Sequence, residues 1–552
     1  MKSRAVRLIL WILGVATVLV VLLMIYTRAV STVSPPTSVN LQDTSAVVNE
    51  PVPGLRTLGN NWFRRSESGL YELYVEGDPF ERGLANGKLT RALVQYQEEV
   101  FTAQIHRLVT NDMYLGVLRY FVGWFNRDLP DHVTEEYKEE IYGVSLSASH
   151  AFDEIGDPYE RILNYHAAHD IGHALQNMSL VGCTSFATWD ERSADSTLII
   201  GRNFDFYVGD DFARDKIVAF YKPSQGYGFM MVTFGGMTGV LSGMNDQGLT
   251  VTINAAKSEI PSASATPVSL VAREILQYAS TIREAYAIAE KRQMFVSESF
   301  LIGSAKDHKA AVIEKSMEGM DLVESSFGQI ISTNHFRGEK LGGTELNQEH
   351  IRTSASPYRY ARVAELLARV EKNDVAQTAS ILRNRYGLDD ADIGMGNEKL
   401  VNQLVAHHAV IFQPEQRRVW VSTAPWQLGK FVCYDLTKVL SYRPVTNDEI
   451  YDTSRSLEAD IFAGSHDYEQ YLKFHRYRFP FAPRTDLNPD SIISWNPRSY
   501  HSYMLAGDYY LGKKDWSRAA KTFEQGLKLE VATLQEREYM ERLVAECKEK
   551  LK

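Results

Sequence analysis

The chain has 552 residues, 44% hydrophobic and 23% charged, an ordinary balance for a folded protein with room for one large domain with additions or for two to three domains. A formal net charge of −10 argues against a nucleic-acid partner, which calls for a basic face. Cys183, Cys433 and Cys547 are the three cysteines, far apart, and do not make a disulfide framework.

Val6 to Tyr26 reads as a helix long enough to cross a bilayer. Lys2, Arg4 and Arg7 stand at its start and Arg28 follows. This bias puts the N-terminus in the cytoplasm and the bulk on the periplasmic or extracellular side. The competing reading is a signal peptide, with secretion after its removal. Such peptides carry a shorter apolar core and an Ala-x-Ala-like site, which Tyr26 to Ser31 does not supply. The expected organisation is a signal anchor over 1–28, a tether over 29–67, in which Thr32 to Glu50 is rich in Ser, Thr, Val and Pro, and a leader over 68–182. A catalytic domain over 183–440, a linker region over 441–494 and a helical hairpin over 495–552 complete it.

Leu70 to Val75 alternates as a strand, and Asp78-Pro79 is suited to cap the helix that follows. Helical patterns run to about Met178. One of them sets His166, His169, Asp170 and His173 on a single face, either a metal cluster or a polar face packed near the next segment. No second ligand motif supports metal, so none is expected.

Val181-Gly182-Cys183-Thr184-Ser185 opens an apolar run, and Gly201-Arg202-Asn203-Phe204-Asp205 closes another. The pair reads as a hairpin turned at Asp190 to Asp195. A thiol, a guanidinium and a carboxylate then share one end of a sheet, and the cation is expected to favour the thiolate. Cys183 is otherwise a small buried hydrophobe. An Arg and an Asp two residues apart beside a half-buried strand are costly unless paired or used.

Beyond the hairpin, strands are expected near Lys216–Tyr221, Gly228–Phe234, Val240–Gly243, Leu249–Ile253, Phe300–Gly303, Ala310–Glu314 and Gln329–Thr333. Val268 to Arg292 reads as one helix, and Tyr358–Val370 and Asp374–Arg385 as two more. A last hairpin joins Ala409–Phe412 to Arg418–Ser422. Antiparallel strands with helices inserted in blocks give an α+β fold, a sheet sandwich covered by helices. The pattern loosens from Tyr442 to Arg484. The helical stretch from Ser499 resembles one tetratricopeptide (TPR) motif at Leu505-Ala506-Gly507-Asp508-Tyr509-Tyr510, Trp516, Ala519-Ala520, Phe523 and Leu527. One such repeat has no neighbour to stack on, which favours a hairpin packed against the rest.

Gly-Cys-Thr-Ser followed by Gly-Arg-Asn-x-Asp resembles the N-terminal-nucleophile (Ntn) hydrolases with cysteine. These include choloylglycine hydrolase, acid ceramidase, N-acylethanolamine acid amidase and the penicillin (isopenicillin N) acyltransferases. Glu76-Gly77-Asp78-Pro79-Phe80-Glu81-Arg82-Gly83 resembles the start of the acyltransferase pro-segment, which narrows the group. The resemblance implies the four-layer αββα sandwich, no cofactor, and a cut between Gly182 and Cys183 that makes small and large subunits from one chain. Cys183 becomes the nucleophile and its freed α-amine the base. An α-amine titrates near ~8 in model compounds. Asp205 would hold that amine and Arg202 bias the thiolate.

Asn254 resembles the oxyanion asparagine of bile salt hydrolase with the spacing off by one, which leaves Asn245 open. Asn334 matches the Thr-Asn that ends a core strand in the family. An asparagine amide donates to an oxyanion without bringing net charge. Arg359, in Ser356-Pro357-Tyr358-Arg359-Tyr360, maps to the active-site arginine, with Arg362 a close competitor. The expected activity is cleavage of a small or lipid-like non-peptide N-acyl amide through a cysteine thioester, with acyl transfer to an amine second. Two other classes are a cysteine peptidase with His335 or His407 as partner and a non-catalytic envelope scaffold. Pocket walls are expected from Phe206–Arg214 and Ser258–Thr266.

Overall fold

A computed structural model describes residues 2–39, 43–108, 111, 120–175, 182–259, 261, 263–444, 446–479 and 487–552. The N-terminal helix Lys2–Ser31 contains one stretch, Val6–Ala29, long and apolar enough to cross a membrane, a test that a signal sequence also passes.

The strands are β1 Asn49–Val52, β2 Leu55–Leu58, β3 Asn61–Arg65, β4 Tyr71–Gly77, β5 Thr184–Thr188, β6 Ile199–Asp205, β7 Ile217–Pro223, β8 Phe229–Thr233 and β9 Ser242–Asn245. They continue as β10 Leu249–Ala255, β11 Glu298–Ser304, β12 Lys309–Lys315, β13 Met320–Val323, β14 Gln329–Ser332, β15 Ala406–Gln413, β16 Arg418–Ser422, β17 Phe431–Asp435 and β18 Asp452–Leu457. Eleven form one sheet, in the order β1-β2-β3-β4-β7-β8-β9-β10-β11-β12-β13. Seven form the other, β14-β5-β6-β15-β16-β17-β18. Only β4 and β7 pair in parallel among the described strands, with Leu73 opposite Ala219.

Three apolar clusters explain the stacking. Leu73, Ile141, Leu163, Met231, Val251 and Ile275 join the leader's strand and helices to one face of the larger sheet. Tyr74, Ile200, Val218, Phe220, Val410 and Val419 lie between the two sheets. Phe186, Val363, Leu367, Leu382 and Ile411 lie between the smaller sheet and the helices Ser356–Ala368 and Val375–Leu382. The alternating pattern of each strand thus feeds two different cores.

Several expectations are corrected. Residues 49–65, placed in a tether, supply β1 to β3 of the larger sheet. The helix expected over Val268–Arg292 is two, Val268–Tyr278 and Ile282–Lys291. Thr281 and Glu284 form a capping box that starts the second, and satisfying those end amides makes the break favourable. Asp78 does sit at the N-cap of Pro79–Leu89, but its side chain makes no capping bond. The region taken as a loose linker holds β18 and the helix His466–Arg478. After residue 499 a third helix, Leu534–Lys550, follows Tyr500–Gly512 and Trp516–Gly526.

The motif Glu76 to Gly83 has a packing purpose. Buried Arg82 pairs with Glu140 at 2.6 Å. Glu140 also takes Arg273 of the helix Val268–Tyr278 at 3.0 Å. A Cβ on Gly83 would stand 2.0 Å from the Glu140 carbonyl oxygen. Glycine is required there because the two helices touch backbone to backbone.

Candidate active site

The hairpin forms as expected, with Thr184 opposite Asn203 and Ser185 opposite Arg202. The Gly182 amide donates to the Asp205 carbonyl at 2.9 Å, which closes the open end of the hairpin on itself. Cys183 is 1% exposed. Arg202 Nη2 lies 3.8 Å from Cys183 Sγ. The guanidinium is fixed by the Leu241 carbonyl at 3.1 Å, by Ser242 Oγ and by the Ile253 carbonyl. It stands over the Phe204 ring at 4.4 Å, an arrangement attractive to a cation.

The thiolate expectation is corrected for this uncut chain. Burial pushes the Cys183 thiol up to about 11, and Arg202 only partly offsets it. Removing the thiolate from water costs more than one nearby cation returns, so the thiol holds its proton at neutral pH.

Asp205 is also buried, and neither of its carboxylate oxygens has a hydrogen-bond partner among the described residues. Burial pushes it up to about 7 against the pull of Arg359 and Arg202. Its charge is felt at the thiol. Unpartnered buried carboxylates are costly and call for an explanation.

The other expected residues join the same network. Asn254 Oδ1 accepts from Ser185 Oγ at 3.0 Å, and its amide donates to the Ser332 carbonyl at 3.0 Å. Asn334 Oδ1 accepts from Arg359 Nη2 at 2.8 Å, and its amide donates to the Ala255 carbonyl at 2.8 Å. The Asn254 amide also reaches Ser332 Oγ at 3.3 Å, whereas the Asn334 amide keeps a second hydrogen beyond its bond. Arg359 Nη1 donates to the carbonyls of Gly182 and Cys183, both at 2.8 Å. Arg359 Nε donates to the Glu398 carbonyl at 3.0 Å.

The alternatives separate on geometry. Asn245 caps a turn, accepting from the Gln247 and Leu249 amides and donating to Leu276 and Ala279. Arg362 pairs with Glu365 and Asp390. His335 is held by Thr333 and Ser356, and His407 by His408. These bonds use Nδ1 of each ring, and among the described residues neither imidazole hydrogen-bonds the thiol. His166 bonds the Ile162 carbonyl and Thr238, and burial lowers it to about 4, so it is a neutral structural histidine. Asp170 accepts from the Val268 amide at 2.8 Å. The side chains of His169 and His173 lie outside the described residues.

Two groups escaped sequence reading. Gln403 Nε2 donates to the Gly182 carbonyl at 2.7 Å, and no motif around Val401-Asn402-Gln403 marks it. Glu398 anchors the C-terminal helices. Its carboxylate accepts from Arg478 at 2.7 Å, His501 at 2.9 Å and Tyr500 at 3.1 Å. Glu398, His501 and Glu536 could together be taken for metal ligands, but Arg478 already supplies the cation at that carboxylate.

An apolar pocket adjoins the site, since Leu241 and Phe204 both line it and both touch Arg202. Phe206 and Phe212 add aromatic walls, as expected for the 206–214 loop, and Phe234 from outside it adds another. Ser258–Thr266 is not among the lining segments. Val94, Phe101 and Ile162 of the leader are.

Residues 191–424 match the family described as acyl-coenzyme A:6-aminopenicillanic acid acyl-transferase. That match supports the Ntn-hydrolase superfamily for the central region. It begins after Cys183 and takes in Arg202, Asp205, Asn254, Asn334 and Arg359. An uncharacterized protein of Archaeoglobus fulgidus is 24% identical over 268 residues, 46% of this chain and 44% of its own. The chain thus spans under half the length of that curated relative. Among solved structures, an N-acylethanolamine-hydrolyzing acid amidase ortholog of Caenorhabditis elegans aligns at 17% identity and TM-score 0.31, over 42% of this chain and 93% of its own. A conjugated bile acid hydrolase of Clostridium perfringens aligns at 15% identity and TM-score 0.32, over 49% of this chain and 96% of its own.

Proposed function

We propose that the chain is a self-processing Ntn amidase that cleaves a non-peptide N-acyl amide through a Cys183 thioester. The match to the superfamily supports amide hydrolysis or acyl transfer as the reaction class. The observation that carries the finer reading is Asp205, a buried carboxylate with two unpartnered oxygens beside the Gly182–Cys183 bond. A cut at that bond frees an α-amine at Cys183, and the ammonium it becomes is the partner Asp205 lacks. The amine then serves as base for the thiol, which burial otherwise keeps protonated. Asn334 holds the substrate oxyanion with its remaining amide hydrogen, and Asn254 joins it by giving up its longer bond to Ser332 Oγ.

The apolar pocket suits an acyl chain and favours a lipid-like amide. Acyl transfer to an amine uses the same thioester and is the second reading, favoured by the family that the central region matches. In this reading residues 68–182 remain bound as the small subunit, and 183–440 form the catalytic domain with the four-layer αββα arrangement. The three apolar clusters support that layering. Residues 441–494 connect it to a TPR-like C-terminal unit. The N-terminal helix is a retained anchor holding the catalytic part outside the cytoplasm.

N-terminal sequencing with intact-mass measurement of the purified protein tests the reading. The expected result is a second N-terminus at Cys183. A single chain that turns over acyl amides with Gly182 still joined to Cys183 removes the mechanism, because its base would not exist.

A further inference from the structure

The Gly182 carbonyl oxygen accepts two hydrogen bonds from far-separated parts of the chain, Arg359 Nη1 at 2.8 Å and Gln403 Nε2 at 2.7 Å. Gln403 is 3% exposed and Arg359 is 3% exposed. Both act where water is excluded and where a donor to developing negative charge is worth most. The same Gln403 amide explains the residue at position 182. A Cβ there would stand 2.3 Å from Gln403 Nε2 and 2.5 Å from Oε1. Gly182 has no positive φ, so glycine here leaves room for this amide to stay on the carbonyl and relieves no backbone strain.

We propose that Gln403 and Arg359 form an oxyanion cradle for the chain's own Gly182 carbonyl, separate from the Asn254 and Asn334 amides assigned to the substrate. The inference rests on the self-processing reading and adds a catalytic residue to it. In the step it serves, the Cys183 Sγ–H proton passes to the Asp205 carboxylate and sulfur bonds to the Gly182 carbonyl carbon. The carbonyl electrons move onto the oxygen held by Gln403 and Arg359. The proton is then delivered to the Cys183 nitrogen, the C–N bond breaks, and a Gly182 thioester with a free α-amine remains. Water hydrolyses that ester to the Gly182 carboxyl and the Cys183 thiol. Arg359 also holds the Cys183 carbonyl and Asn334 and so stays useful after the cut. Among the described residues, the Gln403 side chain hydrogen-bonds Gly182 alone.

The test follows processing of the full chain by mass spectrometry in the wild type, Gln403→Met and Gln403→Glu, with melting curves as the folding control. Met keeps the length of Gln without a donor, and the expected result is processing about 10²–10³ slower. Glu donates only when protonated, so its rate relative to the wild type should climb as pH falls. A role confined to packing would not produce that climb. A cut wild type with a folded Gln403→Met that processes within about threefold of it would overturn the inference and leave self-processing standing. Should Gln403→Met not fold, a flat Gln403→Glu ratio across pH overturns it instead. An uncut, active wild type removes the reading and the inference together.

Discussion

The segments on either side of the central region are attached to different depths, one inside the main core and one through smaller clusters at its edge. The leader shares the large apolar cluster with the catalytic strands, gives β4 to the larger sheet and buries the Arg82–Glu140–Arg273 triad. The helices from Tyr500 onward keep a core mostly of their own, to which the central region contributes only Ala355 among its buried members. The preceding helix His466–Arg478 packs Tyr471 and Phe474 against Leu404 and Leu428 of the central region in a separate apolar cluster that Leu505 joins, and polar contacts add to it, Arg478, His501 and Tyr500 on Glu398 and His475 on Asp210 at 2.9 Å. Glu398 hands its carbonyl to Arg359. The leader is thus part of the fold's core and of the pocket wall, whereas the C-terminal part is an addition aimed at the site.

That contrast is broken most severely at Glu140. Glu140→Ala leaves two buried arginines facing each other, and the expected loss is about 3–5 kcal/mol, read as a large fall in Tm or loss of soluble protein. Acid gives the same result gradually. Burial works to raise the Glu140 carboxyl, but Arg273 and Arg82 hold it below the ordinary value. Its contribution is therefore complete above the unfolded carboxylate range and disappears as pH falls through the lowered folded value. A wild-type Tm that stays constant from pH 6 down to about 3 would contradict this.

A smaller stability loss with a distinct kinetic mark is expected for Arg478→Met, which removes one of three partners from Glu398. About 1–3 kcal/mol is expected for the unmet charge, together with slower processing and turnover through Arg359. Normal rates on both counts would show that the C-terminal attachment does not position the site.

Asp205→Asn should act in the opposite sense on the two readouts. The folded Asp205 carboxyl sits at about 7, above its ordinary value, through burial. It therefore costs stability as pH rises from the unfolded carboxylate range through about 7. The amide removes that cost in the uncut chain, so adding Asp205→Asn to an uncut Cys183→Ala chain should raise Tm at pH 8, while Asp205→Asn alone lowers turnover by about 10² or more. A lower Tm would mean that the carboxylate is compensated. The smallest effects belong to Cys433→Ser and Cys547→Ser. Both thiols are buried and outside the site, so activity should be unchanged while Tm falls by an amount worth about 1 kcal/mol for the buried hydroxyl.

Local pattern alone located the hairpin of Cys183, Arg202 and Asp205, most of the strands and the helix that begins at Ser356, because period-two alternation and turn residues are written in neighbouring positions. The resemblance to the cysteine Ntn hydrolases, and not local pattern, implied Asn254, Asn334 and Arg359 as candidates, which the fold gathers into one network. The capping box at Thr281 and Glu284 was equally present in the sequence, and splitting the helix there needed only that local rule. Tertiary structure decided the rest. Only packing sets the thiol up to about 11 and Asp205 to about 7, since burial is a property of everything around a group. Only packing brings Gln403 to Gly182, 221 positions away, and Glu140 between Arg82 and Arg273. A lone glutamine or glutamate carries no periodicity, and its partner is chosen by how sheets and helices stack.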